Sequence, residues 1–190
     1  MEKVLISGTG RCGTTFIMKI LTLLDYNTGF TKEKYLDNIN ETCNAGLELP
    51  FHKKNKDVYI FKSPIFIQKI KSIIEYNKSW MKIKLMIIPV RHYESSAESR
   101  VKNGNGPGGL WEAKNKQEQI SFYKKIMADY IYYMEKYGIK TIFLNFGKMI
   151  GNKNYLYHKL KPLMDEKNVS FEKFSLVFDE ASSTSKPKKE

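Results

Sequence analysis

Apolar residues follow two rhythms along this chain. Short, nearly unbroken runs at Val4–Ser7, Val58–Lys62, Ile83–Val90 and Thr141–Phe146 read as strands buried on both faces. Between them, apolar positions recur three and four residues apart. That spacing predicts helices near 14–24, 65–76, 93–102, 116–137 and 155–164, the fourth of them ended by Gly138. Residues 25–57 carry polar and Gly-containing turns and read as irregular. Strands that alternate with helices imply an α/β fold: three α/β/α layers around a central parallel sheet, with ligands beyond the carboxyl ends of the strands. The pattern gives one domain over 1–178. The polar end, 179–190, reads as a disordered tail.

Composition narrows the classes. Hydrophobic residues make up 42% of the 190 and charged residues 27%, as in ordinary globular chains. No apolar run approaches the length of a membrane span. The N-terminus runs directly into the first strand pattern, with no room for a signal peptide, so the expected compartment is cytoplasmic. Two cysteines and three scattered histidines offer no disulfide framework and no metal spacing, so no metal is expected. The net charge of +12 predicts anionic partners, although a Lys-rich solvated surface gives the same count. The last twelve residues hold three Lys and three acids, so the excess lies in the body of the chain.

Of the basic residues only Arg11, Arg91 and Arg100 are Arg. Its rigid fork grips phosphate or sulfate oxygens in pairs, which Lys cannot do. Arg11 lies in Gly8-Thr-Gly-Arg-Cys-Gly-Thr-Thr15, between the first strand and the first helix. Glycines there let the backbone wrap an anion, and the helix N-terminus adds unpaired N–H groups. Gly8, Gly13 and Thr15 match the spacing of the nucleotide-triphosphatase P-loop, but Thr14 stands where that motif needs Lys. The missing Lys argues against an ordinary kinase or GTPase.

Two further strand ends carry candidate chemistry. Arg91 follows the third strand, and Ser99 lies eight residues on, about two helical turns away. Both can face one anion, or Arg91 can pair a carboxylate beside a capped helix. Lys62 closes the second strand in Phe61-Lys-Ser-Pro64 and projects toward the crevice of Arg11.

Together these residues resemble the sulfotransferases that use 3′-phosphoadenosine 5′-phosphosulfate (PAPS). Arg11-Cys-Gly-Thr-Thr-Phe16 is similar to their 5′-phosphosulfate loop. Arg91 with Ser99 is similar to their 3′-phosphate motif, and Phe61–Pro64 to their strand-end lysine motif. The similarity covers roughly residues 4–110 and implies a P-loop NTPase-like α/β fold without metal dependence. It implies that Gly10, Arg11, Cys12, Gly13, Thr14 and Thr15 hold the 5′-phosphosulfate, that Arg91 and Ser99 hold the 3′-phosphate, and that Arg11 and Lys62 stabilise the charge that develops in an in-line, metal-independent sulfuryl transfer to a hydroxyl or amine. Many members carry a His just after the lysine motif as general base. Here Ser63-Pro64 stands there. Glu48, in Ala45-Gly-Leu-Glu-Leu-Pro50, is the first candidate for that role, followed by Glu33 and His52.

His92 is expected to cap or pack beside Arg91, and His158 to lie on an ordinary helix surface. The loop Asn103–Gly109, followed by Trp111, is either a lid or a plain surface loop. Three other readings stay open: an ATP-dependent small-molecule kinase with a divergent loop, a non-catalytic nucleotide binder of the same fold, and a nucleic-acid binder. The last lacks any helix-turn-helix, RNP or zinc-finger signature. The expected partners are a nucleotide cosubstrate and an acceptor, with no nucleic acid. The expected state is a monomer or homodimer.

Overall fold

The computed structural model describes residues 1–40, 43–49, 51–64, 66–76, 81–104 and 106–183. Strands β1 (Glu2–Ile6), β2 (Ile60–Lys62), β3 (Lys82–Val90) and β4 (Thr141–Asn145) form one parallel sheet in the order β2-β1-β3-β4. Successive residues of a strand point to opposite faces, and both faces here are apolar. Val4, Ile6, Leu85 and Ile87 enter one core cluster, while Leu5, Met86 and Ile88 enter the other. Helices α2 (Phe66–Tyr76), α3 (Tyr93–Lys102) and α4 (Lys116–Lys136) cover the second face. Helices α1 (Thr14–Leu23), α5 (Phe146–Gly151), α6 (Lys153–Lys159), α7 (Lys161–Glu166) and α8 (Phe171–Ser183) cover the first. The fold is the three-layer α/β/α sandwich that the pattern predicts. Burying Val4, Leu5 and Ile6 completely stabilises it by about 1.5–3 kcal/mol each.

Pro89 shows how the sheet hands over to the site. A proline in a central strand removes one ladder donor. The Ser7 N–H donates to Ile87 O (3.1 Å), so Ile87 and, two residues on, Pro89 face β1. β1 has already ended at Ile6, opposite Ile87, and so the missing N–H leaves no ladder bond unmade.

Several expectations change. The helix expected over 155–164 is two helices, α6 and α7, because Leu160 leaves the helical region and Pro162 sits in the first turn of the second, where its missing N–H costs nothing. The fourth strand stops at Asn145, whose side chain accepts from Lys148 N (3.0 Å) and caps α5. The domain boundary expected at 178 falls inside α8. Phe174, Val177, Phe178 and Ala181 are buried at helical spacing, which carries order through Ser183. The rest of the expected tail, 184–190, lies outside the described residues, as do Ile65 and Asn105. Residues 25–57 hold two short 3₁₀ turns, Tyr35–Asn38 and Lys53–Asn55, and an isolated antiparallel bridge between Ile39 and Gly46. No described helix is long and apolar enough to cross a membrane.

Candidate functional site

All four strands point their carboxyl ends at one cavity of about 650 Å³. β1 leads into the loop 8–15, β2 ends on Lys62, β3 delivers Arg91 and β4 delivers Phe146. Gly13 is the N-cap of α1 at φ 88°, a left-handed conformation costly for any side chain. A Cβ there would collide with Met149 and press on Phe146. Arg11 adopts φ 56°, strain of the kind that functional loops hold.

Arg11 is the hub of one side of the cavity. Its Nε donates to Ser99 Oγ (3.0 Å) and its Nη1 to the Cys43 carbonyl. Its own carbonyl accepts from Arg91 Nη1 (3.0 Å), and Arg91 lies 4.6 Å over the Phe146 ring. Arg91 and Ser99, 80 and 88 positions beyond Arg11, therefore both contact it, one at its carbonyl and the other at its guanidinium. Cys12 is fully buried, with its thiol turned under the loop toward Gly8, and burial pushes the thiol pKa up. Only its main chain is available to the cradle.

Lys62 is the hub of the opposite side. Its side chain is 2% exposed and donates to Thr15 Oγ1 (3.2 Å), Gly46 O (2.5 Å) and Glu48 Oε1 (3.0 Å). Burial lowers its pKa, and the Glu48 carboxylate pulls it partly back up. Glu48 is 41% exposed, so one end of this ion pair touches water. Residues 43–48 thus strap across the crevice: the Cys43 carbonyl takes Arg11, and the Gly46 carbonyl takes Lys62.

Of the expected site residues, Gly10, Arg11, Gly13, Thr14, Thr15, Glu48, Lys62 and Arg91 line the cavity. Ser99 reaches it through Arg11. The lower-ranked base candidates lie elsewhere: Glu33 is exposed, and His52 caps a 3₁₀ turn by accepting from Lys54 N (3.1 Å). His92 occupies the N-cap position of α3 without a side-chain cap bond, and His158 packs its ring edge-on against Tyr157. Among the described residues no group of three His, Cys, Asp or Glu is placed to hold a metal ion.

Arg100 differs in kind from the other two arginines. It is 7% exposed, donates to Tyr123 OH (2.6 Å) and to the Gly109 carbonyl, and lies 5.4 Å over the Trp111 ring. It anchors the Gly-rich loop against α4. Gly108 lets that loop press against Cys43 and Arg11, where a Cβ would come within 3.1 Å of Cys43 Cβ. Lys19, Phe146, Ile150, Ala181 and Ser182 also line the cavity and were not singled out from sequence. The signal for Lys19 was its position, one turn after Thr15 on the same helix face.

The comparisons agree with the architecture. No family model matches the chain, and no curated protein matches it. Among solved structures, the sulfotransferase domain from the curacin biosynthetic pathway superposes with a TM-score of 0.50 and 15% identity, over 92% of this chain and 76% of that one. At that identity the likeness is one of fold, and the fold is sulfotransferase-like.

Proposed function

We propose that this chain is a sulfotransferase that moves a sulfuryl group from PAPS to an acceptor hydroxyl or amine. The observation that carries the reading is the meeting of three strand ends in one cavity: Arg11 and Thr15 from the first, Lys62 from the second and Arg91 from the third, with Ser99 bonded to Arg11 behind them. The cradle fits an anionic nucleotide by its donor set, because the loop offers N–H groups, two hydroxyls and a guanidinium, and no carboxylate. Thr14 in the P-loop lysine position favours this cosubstrate over a nucleoside triphosphate.

Arg11, Gly13, Thr14 and Thr15 would hold the 5′-phosphosulfate, and Arg91 with Ser99 the 3′-phosphate. When bound, PAPS supplies the sulfuryl group, whose bond to the phosphate oxygen breaks as the acceptor oxygen or nitrogen bonds to sulfur and gives up its proton. Lys62 and Arg11 stabilise the charge on the leaving oxygen and on the transferring group. Glu48, 3.0 Å from Lys62 and open to water on one side, is the group positioned to take the acceptor's proton. The acceptor stands against the strap 43–48 in this reading. The chain works in the cytoplasm, as a monomer or homodimer, without nucleic acid.

Calorimetry tests the cosubstrate directly. 3′,5′-ADP should bind without metal, and Arg91→Ala should weaken it by about 1.5–3 kcal/mol, the worth of hydrogen bonds to a charged group. Preference for ATP with magnesium would overturn the reading in favour of a kinase.

A further inference from the structure

The base candidate and the charge-stabilising lysine hold each other. Glu48 Oε1 accepts from Lys62 Nζ at 3.0 Å, and the same ammonium also donates to Gly46 O and Thr15 Oγ1. The three protons of an ammonium are then all engaged by the protein. On the other side of the strap, Arg11 donates to the Cys43 carbonyl. Two of the cations that would grip a sulfuryl or a phosphate, Lys62 and Arg11, thus already donate to oxygens of residues 43–48. While the pair is closed, Glu48 Oε1 is turned to the ammonium and not to an acceptor.

We infer that the Lys62–Glu48 pair is a donor-operated switch: entry of the anionic sulfuryl group draws the ammonium away from Glu48, and the released carboxylate becomes the acceptor's base. This rests on the sulfotransferase reading. The electrostatics set the direction. Sulfuryl oxygens and the Glu48 carboxylate compete for one buried cation, and at short range they repel each other. Arg11, Arg91 and Arg100 are the other fixed cations of the wall, with Lys19 on α1, and Glu48 is the one acid among the described lining residues. No second carboxylate among those residues shares the repulsion. The exposed side of Glu48 gives the freed carboxylate a path toward water or an acceptor. The consequence is order: donor binds first, and an acceptor that arrives early meets a base still locked to Lys62.

The test compares two nucleotides on two proteins. PAPS carries the sulfuryl group and 3′,5′-ADP lacks it. Removing the Glu48 charge removes the competitor, so Glu48→Gln should tighten PAPS about fivefold while 3′,5′-ADP changes less than twofold, both by equilibrium dialysis without acceptor. Glu48 is partly exposed, so the neutral isostere should not disturb folding. A base that merely takes a proton would leave the PAPS affinity of this variant unchanged, and a merely structural ion pair would weaken both nucleotides together. Either result overturns the switch. If wild type binds neither nucleotide, the sulfotransferase reading itself falls, and the switch with it.

Discussion

The two walls of the cavity are built by different means. The wall that would hold the phosphates, the phosphate wall, grows from strand ends. Lys62 ends β2, Arg91 follows the last residue of β3, and Arg11 lies in the loop that leaves β1. The sheet register sets where these strands stop: Ile6 pairs with Lys62 on one side and Ile87 on the other. The opposite wall is the strap 43–48. It belongs to no regular element and is held by the Ile39–Gly46 bridge and by the cations it covers. The first wall is anchored in strands whose residues Val4–Ile6 and Met86–Ile88 are fully buried. The second is tied down mainly by polar contacts that an anion can replace.

The largest effect should come from the residue both walls share. Replacing Lys62 with Met keeps the stem and removes the charge. Turnover should fall by about 10²–10³-fold, the usual loss of one preorganised donor at a developing charge, as read by kcat under saturating PAPS. A loss confined to KM would mean that Lys62 binds ground state and transition state alike, and that the walls meet for binding only.

Glu48→Gln should lower kcat by roughly 10²-fold, at the modest end for general-base catalysis. Its pH profile sharpens the comparison further. Lys62 must be charged to act, burial depresses its pKa, and the Glu48 charge raises it again. Activity that depends on the ammonium is present below that pKa and is lost as pH rises through it. Without the Glu48 charge the pKa falls further, so the alkaline limb of kcat/KM, which reports the free enzyme with its pair intact, should move to lower pH in the Gln variant. An unmoved limb would mean that Lys62 does not set it.

How much of this was legible in the chain divides along the same line. The phosphate wall was, because each of its residues follows an apolar run and sits at fixed distances from glycines or a helix start. The parallel α/β sandwich was legible for the same reason: the strands Leu85–Ile88 and Val4–Ile6 are apolar on both faces. The strap was named only through Glu48, since no periodicity fixes where a loop goes. The carbonyls of Cys43 and Gly46 cannot be read from side-chain identity at all. Arg100 looked like its two rarer companions in sequence, yet its burial against Tyr123 makes it an anchor for the Gly-rich loop. α8 carried a readable pattern at Phe174, Val177, Phe178 and Ala181; Phe178 meets Phe16 edge-on (5.4 Å), and Ala181 and Ser182 line the cavity. The polar residues after it drew the boundary too early.

A backbone change separates fold from site within the phosphate wall. Gly13→Ala forces a Cβ into a left-handed position and toward Met149. The expected loss is about 1–3 kcal/mol of stability, measured by denaturant unfolding. The cradle should suffer with it, because the first turn of α1 must shift to make room. Unchanged stability would mean that α5 yields instead and that the wall is softer than its sheet contacts imply.

The smallest effect tests the most indirect member of the phosphate wall. Ser99 Oγ touches Arg11 Nε at 3.0 Å and is itself only half-buried. Its hydroxyl can serve the nucleotide in two ways: by contact with the 3′-phosphate, or by holding the guanidinium in place. Ser99→Ala removes both, and 3′,5′-ADP should weaken by about 0.5–1.5 kcal/mol, the net worth of one hydrogen bond. The comparison nucleotide 5′-AMP, which lacks the 3′-phosphate, tells the two roles apart. If Ser99 contacts the 3′-phosphate, the substitution weakens 3′,5′-ADP and spares 5′-AMP. If it acts by steering Arg11 toward the 5′ side, both weaken alike, and Ser99 is a positioning residue whose reach across the cavity runs through an arginine.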